Sequence, residues 1–163
     1  MIGKKADVII AIDPDVDKSG VAHLEVASRE LKLTSLFFAD LLDYLLQVKK
    51  TGRDVVVIVE EGFFSNAHWH LSPKDNPYIA AAKGNAVGRN HETGRKIIEM
   101  ALHYKLKVCG VRPLIKCWKG KDRKITDKEF KSFTNYNGRT SQDMRDAGLL
   151  AWVYAGLPIR IPV

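Results

Sequence analysis

The chain has 163 residues, 45% of them hydrophobic and 28% charged, with 26 Lys+Arg against 19 Asp+Glu for a formal net charge of +7. That is the profile of one ordinary globular domain, here 1–163, large enough to bury a core without disulfide staples, and it excludes a disordered or fibrous chain. The two cysteines, Cys109 and Cys117, make neither a disulfide framework nor a zinc knuckle. No apolar run approaches the roughly 18 residues of a membrane span, and the N-terminus lacks the long apolar region of a signal peptide. The expectation is a reduced, cytoplasmic protein whose positive charge suggests a polyanionic partner.

Val8 to Ile12 is a continuous apolar run, as expected of a strand covered on both faces, and it ends at Asp13. A turn-rich stretch from Asp13 to Gly20 follows. Val21 to Val26 and Leu31 to Thr34 then alternate like an antiparallel pair. A helix opens at Asp40 with Leu41, Leu42, Leu45, Leu46 and Val48 as its apolar stripe; Lys49 and Lys50 complement its dipole and Gly52 stops it. Val55 to Val59 is a second fully buried strand, ending at Glu60. The stretch from Ser65 to Asn90, with Pro73, Pro77, Gly84 and Gly88, reads as irregular. Arg95 to Tyr104 reads as a helix and Lys107 to Val111 as a short core strand. A last helix runs from Thr140 to about Ala155, with Thr140 and Asp143 as a capping box. The order β-β-β-α-β-α-β-α implies a mixed five-stranded α/β sheet with helices on both faces, the first strand and the one ending at Glu60 running parallel through a crossover helix.

Both of the most apolar strands end in a carboxylate, Asp13 and Glu60, and ligand sites of open α/β sheets lie outside the carboxyl ends of the parallel strands. Asp143 and Asp146 stand three residues apart on the last helix, on the side continuous with Ala147, Leu150, Ala151 and Tyr154, so they are expected to face the sheet. Four such carboxylates repel unless a cation neutralises them. A hard cation, Mg²⁺ or Mn²⁺, takes oxygen ligands, and two ions roughly 4 Å apart activate water and stabilise the leaving oxygen of a phosphodiester. Each acid also has a plainer role open to it: Asp13 before Pro14 as a turn residue, Asp143 as a cap, Glu60 with Glu61 as a solvated strand end, Asp146 as a surface acid.

The positive charge is concentrated. Arg112 to Arg139 holds nine basic residues against three acidic ones, a local charge of +6 that leads directly into the helix with Asp143 and Asp146. A basic arm beside an acidic metal site suits a nuclease, in which the arm holds phosphates while the ions serve the cut. Lys116, Lys119, Lys121, Arg123, Lys128 and Lys131 are the candidate backbone contacts, with Lys116 or Lys128 also placed to neutralise charge in the transition state. Trp118, Phe130, Phe133 and Tyr136 are interleaved with them; Phe130 and Phe133 read as packing for a short helix capped by Thr126 and Glu129. Phe63 and Phe64, just past Glu60, are the better candidates for stacking on unpaired bases. His68 and His70 have no third ligand nearby and do not make a zinc site. Asp13-x-Asp15-x-Asp17 imitates a calcium loop, but Lys18 stands where that loop needs Gly and Leu24 where it needs a bidentate Glu. A haloacid dehalogenase-type phosphatase would need downstream Ser/Thr and Lys stations that cannot be placed.

Four stretches in order carry a family resemblance: VIIAIDPDVDKSG (8–20), VEEGF (59–63), NHETGRKIIEMA (90–101) and QDMRDAGLLA (142–151). Together the chain resembles the RuvC-type Holliday junction resolvases. The resemblance implies a ribonuclease H-like fold and a metal-dependent endonuclease that resolves four-way-junction DNA as a homodimer. It implies Asp13, Glu60, Asp143 and Asp146 as catalytic metal ligands, with Glu60 preferred to Glu61 by its spacing from Phe63. The chain departs from that family at Asp15, where Gly is usual, and in the segment from Ser65 to Gly88. A non-catalytic DNA-binding module on the same fold and a small-molecule phosphatase are the competing readings; the full set of acids argues against the first and the basic arm against the second.

Overall fold

The structure, a computed structural model, describes residues 6–62 and 72–160. Strands β1 (Val8–Asp13), β2 (Ser19–Glu25) and β3 (Glu30–Leu36) come first, then helix α1 (Phe38–Lys50), β4 (Val55–Glu60), helix α2 (Pro77–His103), β5 (Lys107–Val111), and helices α3 (Asp127–Thr134) and α4 (Gln142–Tyr154). The strands form one sheet in the order β3-β2-β1-β4-β5. β1 pairs antiparallel with β2 and parallel with β4, and β4 pairs parallel with β5. The mixed five-stranded arrangement expected from the element order is therefore present, with parallel β1 and β4 at its centre.

Successive side chains on a strand point to opposite faces. Val8, Ile10 and Ile12 of β1 join Val55, Val57 and Val59 of β4 in a core with Leu41, Leu45 and Val48 of α1 and Ile97 and Ala101 of α2. Ile9 and Ala11 join Val56 and Ile58 in the opposite core, with Phe130 and Phe133 of α3 and Ala147, Leu150, Ala151 and Trp152 of α4. This two-sided burial is why neither strand shows any alternation. It also assigns the strand ends: Asp13 continues the 9–11 parity and Glu60 the 56–58 parity, so both carboxylates belong to the face that α4 covers.

α4 lies unusually close to the sheet. A Cβ at Gly20 would sit 2.1 Å from the carbonyl oxygen of Asp143, and one at Gly148 would sit 2.6 Å from the Phe130 ring. Gly20 is opposite Asp13 in the ladder. The first turn of α4 thus rests on the strand β2 immediately beside Asp13, because no side chain intervenes.

Three boundaries differ from those expected. The stretch from Ser65 to Asn90 is not irregular throughout: α2 begins at Pro77, with the Asn76 side chain accepting from the backbone N–H of Ile79 at 2.9 Å. Proline is suited to a first helical turn, where its missing N–H is no loss. Gly84 and Gly88 fall inside an exposed helical half, and breaker composition concealed it. α4 is capped by Ser141, whose hydroxyl accepts from Met144 N–H at 3.2 Å, not by Thr140. Thr140 instead bonds Asp127 and Arg145. α1 starts at Phe38, with Asp40 inside its first turn. The short helix α3 does carry the expected capping box of Thr126 and Glu129.

Two glycine substitutions check this geometry. Gly20→Ala is expected to lower stability by roughly 1–3 kcal/mol, the range for overpacking, because its Cβ meets backbone. Gly84→Ala, which meets nothing within 4 Å, is expected to raise it by about 0.5–1 kcal/mol with a gain in helical circular dichroism. Thermal unfolding measures both, and no gain at Gly84 would count against helix in 77–90.

Candidate active site

Asp13, Glu60, Lys116, Trp118, Lys124 and Asp146 line one cavity at the carboxyl ends of β1 and β4, together with Pro113, Leu114, Ile115, Ile125 and Leu149. Asp143 is half-buried at the N-terminal turn of α4 and shares the same electrostatic neighbourhood. The four acids singled out in the sequence therefore converge. Glu61 does not join them: it has the other parity, is 7% exposed, and its carboxylate packs over Gly110 of β5.

Crowding shows in the proton affinities. Burial and then repulsion from Glu60, Asp146 and Asp143 push Asp13 well above the usual carboxylate range, with Lys124 pulling back. Burial and Asp146 push Glu60 up to about 6, against the pull of Lys124 and Lys116. Burial also raises Asp143, and Asp15 and Asp146 add to it while Lys124 opposes.

Two residues hold Asp146. Gln142, one helical turn earlier, donates its side-chain N–H to one oxygen at 2.7 Å, and Lys124 Nζ pairs with the other at 3.1 Å. Neither was singled out from sequence. Gln142 was legible as an i, i+4 partner. Lys124 was one of nine basic residues in its stretch, and only the anchoring of its neighbour Ile125, 1% exposed, distinguishes it. Among the described residues no three His, Cys, Asp or Glu side chains are arranged to hold one ion.

The basic arm is a folded unit. Trp118 stacks on Phe133, and Phe130 meets Phe133 and Tyr136 edge-on. Phe130 and Phe133 pack α3, as expected, and are not free to stack on bases. The buried Glu129 carboxylate accepts from the backbone N–H of Lys119 at 3.1 Å and of Thr126 at 3.0 Å. Burial works against its charge, but the Thr126 hydroxyl, donating at 2.7 Å, and these two backbone bonds outweigh it and hold the carboxyl below its usual range. They tie the loop to α3, leaving Lys119, Lys121 and Arg123 exposed on and beside a tight turn over Lys121–Arg123, and Lys128 exposed in the first turn of α3. Lys116 lines the cavity, and Lys131 pairs with Asp127 at 2.8 Å.

Asp15 is a turn residue: its carboxylate accepts from Asp17 N–H at 2.8 Å. Phe63, Phe64, His68 and His70 lie outside the described residues. Both cysteines are free. Among the described residues no helix is long and apolar enough to cross a membrane.

The chain as a whole is similar in structure to T. thermophilus RuvC in complex with Holliday junction substrate, with a TM-score of 0.50 and 16% identity over 91% of this chain and 92% of that one. No family model and no curated protein matches the chain. The likeness establishes the fold as a ribonuclease H-like mixed sheet flanked by helices.

The raised Glu60 has a consequence for metal-free stability. A carboxyl whose folded pKa of about 6 exceeds its ordinary 4.5 binds protons preferentially in the folded state, so its contribution is lost as pH rises through that interval. In chelator, Glu60→Gln is expected to match the parent protein near pH 4.5 and exceed it by on the order of 1–2 kcal/mol above pH 7. Chemical denaturation across pH measures the gap; a constant gap would contradict the assignment.

Proposed function

We propose that the chain, 1–163 acting as one domain, is a divalent-metal-dependent endonuclease of branched DNA, with four-way junctions as its substrate. The observation that carries this is the convergence of Asp13, Glu60, Asp143 and Asp146 at the ends of the parallel strands, on a fold shared with a protein described bound to a Holliday junction. The donor set fits Mg²⁺ or Mn²⁺: it is all oxygen, partly buried, and repelling enough to raise Asp13, Glu60 and Asp143 together. The four acids would hold the metal, two ions in all, and when bound it would activate water and stabilise the leaving oxygen of a phosphodiester.

The chain's own residues supply the rest. Gln142 orients Asp146 through its 2.7 Å bond. Lys116 stands at the cavity wall, placed for a non-bridging phosphate oxygen. Lys119, Lys121, Arg123 and Lys128, exposed on the segment that follows the cavity-lining Lys116 and Trp118, would position the backbone together with Lys131. Phe63 and Phe64 would stack on bases unpaired at the branch point. Cutting two strands of a symmetric junction needs two such sites, hence a homodimer.

Two observations favour a second reading, a non-catalytic junction-binding module: Lys124 pairs with Asp146, and no three-donor cage is formed among the described residues. A labelled synthetic four-way junction separates the two. Paired nicks with Mg²⁺ that vanish in chelator and fall at least 100-fold in Asp146→Asn are the expected result; tight binding without cleavage under any divalent ion would establish the module. The arm is tested separately. Lys121→Ala with Arg123→Ala is expected to weaken junction binding and lower the slope of log affinity against log salt by about 1–2; an unchanged slope would remove the arm from the interface.

A further inference from the structure

Lys124 is set apart by where its ammonium goes: its Nζ reaches the acids of the cavity. Lys116, Lys119, Lys121 and Lys128 are exposed, and Lys131, covered to the same extent as Lys124, pairs instead with Asp127 on its own helix. The Lys124 backbone is locked on both sides. Its N–H donates to Lys121 O at 3.1 Å, its carbonyl accepts from Gly120 N–H at 3.0 Å, and the next residue, Ile125, is core. The ammonium is thus aimed from a fixed support at Asp146, and its charge also acts on Asp13, Glu60 and Asp143. Lys116 also acts on Glu60 and Arg145 on Asp143, but Lys124 is the cation whose charge acts on Asp13, Glu60 and Asp143 alike and whose ammonium pairs with Asp146.

We infer that Lys124 is an internal counter-cation, holding the acidic corner together in the metal-free protein and giving up its place beside Asp146 when a divalent ion enters. The inference rests on the metal-dependent reading of the site. Its physical basis is competition. A divalent ion brings twice the charge to the same oxygens, and a carboxylate oxygen bonded to an ammonium is not free to ligate. The displaced ammonium, on its flexible stem, then swings toward the cavity mouth. This gives the four acids a compensated state with no ion bound, and explains why they converge without forming a three-donor cage.

The test is calorimetric titration of the full chain with MnCl₂ in the absence of DNA. Lys124→Met, which keeps length and loses charge, is expected to bind Mn²⁺ about tenfold more tightly than the parent, while Lys124→Arg stays near parent affinity. In chelator, Lys124→Met is expected to melt about 3 °C lower and to recover on adding Mn²⁺. Equal or weaker Mn²⁺ affinity in Lys124→Met overturns displacement while leaving the metal site intact; binding to neither protein overturns the metal reading as well. A second measurement needs no variant. Acetylation of Lys124 in the parent chain, followed by mass spectrometry, is expected to be slow in chelator and several-fold faster with saturating Mn²⁺, and an unchanged rate overturns the inference.

Discussion

Mutual repulsion among four carboxylates is the constraint around which the site end of the molecule is organised. Like charges are not gathered in a partly buried corner without cause or without compensation. Strand parity turns Asp13 and Glu60 to the same face, and the absence of a side chain at Gly20 lets the first turn of α4 settle within reach of them. Either device alone would leave two acids apart from the other two. The cost appears as raised proton affinity at Asp13, Glu60 and Asp143, and Lys124, with Lys116 at Glu60 and Arg145 at Asp143, reduces it without removing it.

The basic arm depends on the same face of the sheet. Its aromatic residues point inward, so that Phe130 and Phe133 extend the core that α4 completes, and its lysines point outward for that reason. Glu129 joins the two halves by capping α3 and holding the Lys119 backbone at once. An arm anchored this way presents its charges from a rigid turn beside the acids. Cations and anions are separated by a few residues of structured loop, and of the arm's lysines only Lys116 and Lys124 line the cavity.

Much of this was legible in the sequence, and the exceptions have physical reasons. Val8 to Ile12 and Val55 to Val59 read as strands buried on both faces, so their terminal acids could be assigned to strand ends from the sequence. The choice of Glu60 over Glu61 rested on resemblance, yet parity against Val56 and Ile58 leads to it independently. The half of α2 from Pro77 to Asn90 was hidden because its glycines and proline read as breakers; Pro77 stands at the one helical turn where proline costs nothing. Thr140 and Ser141 compete for one cap, and composition alone does not separate neighbours with the same hydroxyl. Lys124 was invisible for a different reason. Nothing in a run of basic residues says which one has its neighbour nailed to the core.

The opposite end of the sheet shows what the chain does with an acid it uses only for structure. Glu25, paired across from Val8 at the start of β1, receives both guanidinium nitrogens of Arg53 at 2.8 and 2.6 Å and a contact from His23 at 3.1 Å. These hydrogen bonds hold its carboxyl down at about 2, whereas Glu60 at the other end is pushed up to about 6. Both are glutamates at strand ends of one sheet. A fold able to satisfy Glu25 so fully could have supplied an arginine to Glu60, yet it places three more acids there, against the shared Lys124 and the more distant pull of Lys116. Departure from local satisfaction at one place, beside full satisfaction elsewhere, is what the proposed metal-dependent function would require of that corner. The chemistry of that corner calls for positive charge brought from outside.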